Sequence, residues 1–279
     1  MQVQRHSSEL GGWEMVTRAP APALRPHVRR YVGYVEHTPA GFRRREVPTG
    51  EVAMIISFGP SIDVLGMGYE PLRRTSFVAG VDDAYATTEH GGVQHGLQVD
   101  FTPLGAAMVL GMPMSVLARQ VVALEDLPGP FPGLSERLAD AGGWEARFGA
   151  LDALLAARLG AARSPTAGVA WAWNVLRATH GAARVGDLAG ELGWSRRHLA
   201  TSFRDQVGLP PKLYARILRF RHALRRLDGE PEPRWADIAY DCGYYDQAHF
   251  NRDFRQFAGT TPTEYLGRRL PAGGGISGG

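Results

Sequence analysis

The sequence predicts an α+β chain of two domains: a strand-rich antiparallel unit with trailing helices over residues 1–163, and an all-helical unit over 164–270. Three features predict it: short turn-punctuated apolar segments up to residue 102, helical spacing from residue 103 onward, and an internal repeat of about fifty residues near the C-terminus. A chain of 279 residues, 44% of them hydrophobic, is long enough to bury two cores.

Segments 31–36, 51–58, 62–65, 76–81 and 96–101 read as strands, separated by glycine, proline and aspartate as in FGPSID and AGVDD. Such a series predicts an antiparallel barrel or sandwich. After Pro103 the spacing becomes helical, through LGAAMVL, then 132–139, then a longer amphipathic stretch at 144–159. The apolar stripe of that last stretch, with Leu151 and Leu155, is expected to pair two subunits. Residues 160–168, GAARSPTAG, are small, polar and proline-bearing, which makes them the expected linker. The tail 271–279, rich in glycine, offers too little apolar surface to offset the entropy of ordering it and is expected to be disordered.

Charge is unevenly distributed. Residues 166–270 hold 16 basic and 11 acidic side chains, whereas the rest hold 15 and 17, so the basic excess lies wholly in the C-terminal part. A polyanion, if bound, binds there. The single cysteine, Cys242, excludes an intrachain disulfide and a multi-thiolate zinc site. It is read as a small core residue. No apolar run has the roughly 18 residues of a membrane span, so a cytoplasmic protein without membrane contact is expected.

The repeat carries the strongest signal. Asp187-Leu188-Ala189 answers Asp237-Ile238-Ala239, Gly193-Trp194 answers Gly243-Tyr244, and Leu199 answers Phe250. Phe203, Gly208, Pro211 and Tyr214 answer Phe254, Gly259, Pro262 and Tyr265, and Tyr245 is one additional residue at the second turn. Each copy reads as a short helix, a glycine turn and a second helix. The alanines allow close helix crossing, the turn glycines accept a left-handed backbone, and Ser195 and Asp246 cap the second helices. That is the grammar of a helix-turn-helix, whose second helix enters the major groove. A helix opening at Pro210 or Pro211 and running to about Leu227 joins the copies as a strut of about 25 Å.

These residues resemble the AraC/XylS family of bacterial transcription regulators. The segment beginning VGDLAGELGWSRRHLATSF is similar to that family's first helix-turn-helix. The segment WADIAYDCGYYDQAHFNRDFRQFAGTTPTEYL resembles its signature, ending in G-x-x-P-x-x-Y as Gly259, Pro262 and Tyr265. VPTGEVAMIISFG and DFTPLGAAMVLGMPMSVL resemble its degenerate cupin-like sensor domains. The resemblance implies a cupin-like β-barrel followed by a seven-helix DNA-binding domain. It places base-reading residues at Arg196, Arg197, Ala200 and Thr201, and at Gln247, Ala248, His249, Asn251 and Arg252. Arginine can grip guanine, and glutamine or asparagine adenine, with paired bonds. Arg204, Lys212, Arg216 and Arg255 are expected on phosphates, where they set register.

The implied partners are double-stranded promoter DNA, RNA polymerase if the outcome is activation, a small-molecule effector in the N-terminal domain, and a second copy of the chain. No cofactor, metal or catalytic residue is expected. Two alternatives stay open: a cupin-like metal enzyme with a DNA-binding tail, for which His90, His95 and Glu89 are the candidate ligands, and a ligandless regulator controlled by a protein. DNA-repair methyl acceptors that carry a related domain need several cysteines, and one is present.

Because neutralised phosphates release counterions, affinity for promoter DNA is expected to fall by about a thousandfold between 50 and 200 mM salt if some six phosphates are held. Fluorescence anisotropy across that range checks it, and a flat salt response speaks against the basic segment as the DNA contact.

Overall fold

The first hundred or so residues form ten strands among the described residues: β1 (Gln2–Ser8), β2 (Gly11–Arg18), β3 (Val28–His37), β4 (Phe42–Glu46), β5 (Val52–Ser57), β6 (Ile62–Gly66), β7 (Leu72–Arg74), β8 (Phe77–Ala79), β9 (Ala86–His90) and β10 (Val93–Phe101). The structure is a computed structural model describing residues 1–8, 11–39, 41–66, 71–227, 233–269 and 276–277. With β11 (Val121–Ala123) and β12 (Ile276–Ser277), the strands form two antiparallel sheets. One has the order β1-β2-β3-β10-β5-β8-β11, the other β12-β4-β9-β6-β7.

Five of these strands overlap the segments the sequence marks. β1, β2, β4, β7 and β9 were not expected, because their residues are largely polar. β4 is Phe-Arg-Arg-Arg-Glu, with no apolar alternation to betray it. The expected barrel does not close: among the described residues no ladder joins the two sheets. Three of the four edge strands, β7, β11 and β12, span only two or three residues, too short to carry the staggered register that closure requires. Two facing sheets result.

The seven-stranded sheet presents different chemistry on its two sides, as a period of two dictates. On one side Tyr31, Val52, Met54, Ile56, Leu97 and Val99 are buried in the main core. Helices cover that side: α1 (Pro103–Leu110), α2 (Met114–Leu117), α3 (Leu134–Ala139) and α4 (Trp144–Gly160). Tyr31 stacks on Phe148 of α4 at 5.7 Å between centroids, and its hydroxyl donates to Asp152 at 2.9 Å. The other side faces the second sheet.

Two expectations are corrected here. Leu151 and Leu155 are fully buried within the chain, together with Phe148, so the apolar stripe of α4 packs on its own sheet and helices and is not free to pair subunits. The tail is also not wholly irregular. Ile276 is buried and pairs with Arg45, placing β12 on the edge of β4. The other tail residues, 271–275 and 278–279, lie outside the described residues.

Beyond the segment 161–166, seven helices follow among the described residues: α5 (Ala167–Ala178), α6 (Val185–Glu191), α7 (Arg196–Val207), α8 (Pro211–Arg226), α9 (Trp235–Asp241), α10 (Gln247–Ala258) and α11 (Pro262–Arg268). Their core is aromatic. Phe220 meets Phe254 and Phe257 at 5.1 and 5.2 Å, and Phe254 meets Tyr265 at 5.4 Å. It is continuous with the core under the large sheet.

Leu155→Ala is expected to lower unfolding free energy by about 2–5 kcal/mol, the usual result of emptying a buried leucine site. Urea denaturation measures it. Sedimentation of the folded fraction should show an unchanged mass; a clean shift to monomer without loss of stability is the outcome that restores α4 as a subunit contact.

Candidate nucleic-acid interface and a buried cavity

The two helix-turn-helix units, α6–α7 and α9–α10, are built with the same bonds. Gly193 and Gly243 have positive φ of 64° and 75°, and their amides reach back to the carbonyls of Gly190 and Tyr240 at 3.0 Å. The next amides, Trp194 and Tyr244, bond Ala189 and Ala239 at 2.9 Å. Ser195 then accepts from the His198 amide, and Asp246 from the His249 amide. The residues just after each cap, Arg196 and Arg197 in α7 and Gln247 and Ala248 in α10, are exposed, with Leu199 and Phe250 fully buried beneath.

Arg196, Arg197 and Thr201 are exposed on α7, and Ala200 is half-buried. Arg196 leans back over Gly186 of α6, where a β-carbon would lie 3.1 Å from its guanidinium; Arg197 makes no such contact. Gln247, Ala248 and Arg252 are exposed on α10. His249 and Asn251 are half-buried, and the His249 ring packs against Tyr244 and lies 4.0 Å from Asp253. Arg204 and Lys212 are exposed.

Arg216 does not fit the phosphate role. Its guanidinium bonds Asp253 at 2.7 Å and Gln256 at 2.7 Å, and Asp253 is 3% exposed, so the pair braces α8 against α10. Arg255 is exposed but lines a groove with Asp82, Asp83 and Arg119 of the strand-rich half. Sequence reasoning passed over Tyr245, which is 92% exposed immediately before the Asp246 cap. The available signal was its standing as the extra residue in the repeat.

The helical half is docked onto the strand-rich half by several contacts among the described residues. The Tyr214 hydroxyl accepts from the Trp173 indole at 2.9 Å and donates to the Gly50 carbonyl at 3.0 Å. Arg221 of α8 bonds the Thr49 carbonyl and Glu51. Arg45 of β4 donates to the carbonyls of Ala258 and Gly259 at 3.0 and 3.2 Å, a cation at the negative end of α10, and lies 4.4 Å from the Tyr85 ring centre. Ser115 of α2 also bonds Asp205 of α7 at 3.1 Å.

Between the two sheets lies a cavity of about 300 Å³. Its apolar end is formed by Ile62, Val64, Phe77 and Val121. Elsewhere its wall is charged. Arg30 bonds Asp100 at 2.5 Å, and Arg44 bonds Glu36 at 2.9 Å. Glu51 is taken by Arg221, and Asp82 accepts from the amides of Asp83 and Ala84. Glu46 also lines the cavity, and burial raises its pKa above the usual carboxylate range against the opposing pull of the Arg44 and Arg30 guanidinium groups.

Gln94, 2% exposed, has neither its amide nitrogen nor its oxygen partnered among the described residues. His90, also in this wall, accepts the Gly92 amide at Nδ1, which puts the proton of the neutral ring on Nε2. That nitrogen faces the Glu36 carboxylate at 3.8 Å, beyond hydrogen-bond reach, and burial lowers the ring's pKa. His95 points to the opposite side of its sheet, between Phe58 and Trp144. The two histidines suggested as metal ligands are therefore not brought together. Among the described residues no cluster of three His, Cys, Asp or Glu side chains could hold a metal ion.

Residues 188–268 match a family described as a helix-turn-helix domain, and residues 16–123 match one described as a domain of unknown function. The HTH-type transcriptional activator RhaR of Yersinia pestis is 40% identical over 72 residues, covering 26% of this chain and 24% of that protein. An uncharacterized HTH-type transcriptional regulator of Staphylococcus aureus is 32% identical over 85 residues, covering 30% of this chain and 11% of that protein. The chain thus spans about a quarter or less of the length of these curated relatives. ToxT from Vibrio cholerae is similar in structure at a TM-score of 0.47 and 10% identity, over 90% of this chain and 97% of that one. An AraC-type transcriptional regulator from Chromobacterium violaceum is similar at a TM-score of 0.33 and 27% identity, over 38% and 95% of the two chains.

The paired units and the matched region define the C-terminal part as a helix-turn-helix DNA-binding domain.

Replacing Arg216 by alanine strands the buried Asp253 carboxylate and is expected to lower stability by about 3–5 kcal/mol. Thermal and urea melts check it. A variant of native stability with weaker DNA binding instead returns Arg216 to the phosphates.

Proposed function

We propose that this chain is a sequence-specific transcription regulator, in which α7 and α10 read two adjacent major grooves and the strand-rich half, up to about residue 163, senses a small molecule. The observation that carries the reading is the duplicated turn, closed by matching hydrogen bonds, with a capped helix after it whose first residues are exposed. In this reading Arg197, Thr201, Gln247 and Arg252 approach base edges, with Arg196, Ala200, Ala248, His249 and Asn251 shaping the fit, while Arg204 and Lys212 meet phosphates. Tyr245, exposed beside the second reading helix, joins the backbone contacts.

The two units lie at opposite ends of α8, whose 16 residues make a strut of about 24 Å. One chain therefore spans neighbouring half-sites on one face of the duplex, about 34 Å apart at most. The matched activator favours activation as the outcome, which brings RNA polymerase in as a partner. The reading is non-enzymatic and cytoplasmic, and no helix among the described residues is long and apolar enough to cross a membrane. A second copy of the chain pairs through a surface other than the buried stripe of α4.

Arg197→Ala is expected to cost about 1–3 kcal/mol of operator affinity and to relax preference at one base position only, whereas Lys212→Ala weakens all sequences alike. Binding to a randomised operator library reads both. Inserting five base pairs between half-sites turns one to the far face, and undiminished affinity for that operator contradicts the two-groove arrangement.

A further inference from the structure

Gln94 is a polar side chain that the fold buries without using. It lines the cavity from β10, almost wholly buried, and neither its amide nitrogen nor its oxygen has a partner among the described residues. Glu36, its cross-strand neighbour on β3, is already taken, because both oxygens of that carboxylate accept from Arg44, at 2.9 and 3.0 Å. A buried amide left unbonded costs stability, and buried polar groups are ordinarily bonded by something. The cavity beside Gln94 leaves room for a ligand to do so.

The charged groups of the same wall are engaged with one another. Arg30 bonds Asp100 at 2.5 Å, Asp100 also accepts from Gln98 at 2.6 Å, and Arg221 holds Glu51. Asp82 accepts two backbone amides. Burial favours the uncharged form of Glu46 against the pull of Arg44 and Arg30. A charged ligand would have to break one of these pairs to gain a partner, and exchanging one pair with a buried carboxylate for another yields little. The wall therefore suits an uncharged ligand.

The carboxamide of a glutamine sets an N–H donor and a carbonyl acceptor side by side. Its complement carries the same two functions side by side in the opposite order, which is an amide in the cis arrangement. Open-chain secondary amides are overwhelmingly trans, whereas a small ring holds the amide cis. The apolar part of the wall lies close by. Asp63 pairs with Glu89, so Ile62 stands beside His90 in the small sheet, and the turn 91–92 leads from His90 into β10, of which Gln94 is the second residue. The apolar end thus begins near Gln94 with Ile62 and includes Val64 and Phe77. A volume of about 300 Å³ holds a molecule of roughly ten to fifteen heavy atoms.

We propose that the cavity binds an uncharged cyclic amide, a ring carrying an N–H beside a carbonyl, with that edge paired to the Gln94 carboxamide by two hydrogen bonds and the hydrocarbon part of the ring against Ile62. The proposal rests on the sensor reading above and names the chemical class that sensor takes. Gln94 thereby becomes a specificity-determining residue.

The test uses the full chain and bicyclic probes of similar size. Dihydrocarbostyril is a cyclic amide with a free N–H, its N-methyl derivative lacks the donor, and dihydrocoumarin has a ring oxygen in place of the N–H. Tetrahydroisoquinoline and naphthoate carry a positive and a negative charge on comparable skeletons. In titration calorimetry dihydrocarbostyril is expected to bind at least about tenfold tighter than each of the other four, because it alone bonds both polar atoms of Gln94. Gln94→Met, close in volume, should erase the margin over the N-methyl amide and the lactone. The same variant should raise the melting temperature of the free protein, since it removes two unbonded buried atoms; a glutamine with a structural role gives a lower one. Equal binding by any of the other four probes, an amide preference that survives Gln94→Met, or no binding by dihydrocarbostyril overturns the ligand class. The sensing role is read apart from it, by affinity for an operator selected from a randomised library, with and without dihydrocarbostyril. A probe that binds with the expected preference and leaves operator affinity unchanged sinks the sensing role and keeps the ligand class.

Discussion

The phenol of Tyr214 is the point on which the two halves of the molecule turn. It is completely buried, accepts a bond from Trp173 and donates one to the Gly50 carbonyl, so one hydroxyl links α5, α8 and the segment between β4 and β5. Burial pushes its pKa up to about 12, which keeps the proton in place to serve Gly50. Gly50 itself, at φ 72°, turns the chain so that its carbonyl faces inward, and a β-carbon there would press the Tyr214 ring at 3.3 Å. Arg221 of α8 bonds the neighbouring Thr49 carbonyl and Glu51, so the same segment is held at a second point.

What the sequence makes legible follows from where selection of residue type is strongest. In the helical half, two turns closed by matching hydrogen bonds need glycine, a capping oxygen and a core aromatic at nearly the same spacing, so Gly193, Ser195 and Phe203 announce themselves along with Gly243, Asp246 and Phe254. In the strand-rich half the large sheet buries one face against helices, and β3, β5 and β10 show in the sequence. The second sheet faces a charged cavity on one side and solvent or a helix end on the other. Its strands β4 and β9 therefore carry arginine, glutamate, threonine and histidine where a strand search looks for valine.

The misplaced residues have physical causes as well. An apolar stripe such as that of α4 has the same spacing whether it covers its own sheet or a partner, and here Phe148, Leu151 and Leu155 cover their own. Arg216 has the composition of a phosphate ligand, yet its neighbour at distance 37 in the sequence, Asp253, is buried and needs it. Neither fact is local to the sequence. Tyr245 was legible only as a length difference between the two repeats, since nothing in its type distinguishes a packed tyrosine from an exposed one.

β4 runs between two functions on alternate sides of one short strand. Arg44 and Glu46 point into the cavity, and Arg45 between them holds the last carbonyls of α10 and stacks on Tyr85. A one-residue insertion or deletion in this strand would exchange the two sides, so the register that lines the cavity is also the register that tethers α10. In a lineage of such proteins, the lining of the cavity and the hold on the helical half would drift together, because no change in the length of β4 can alter one and leave the other alone.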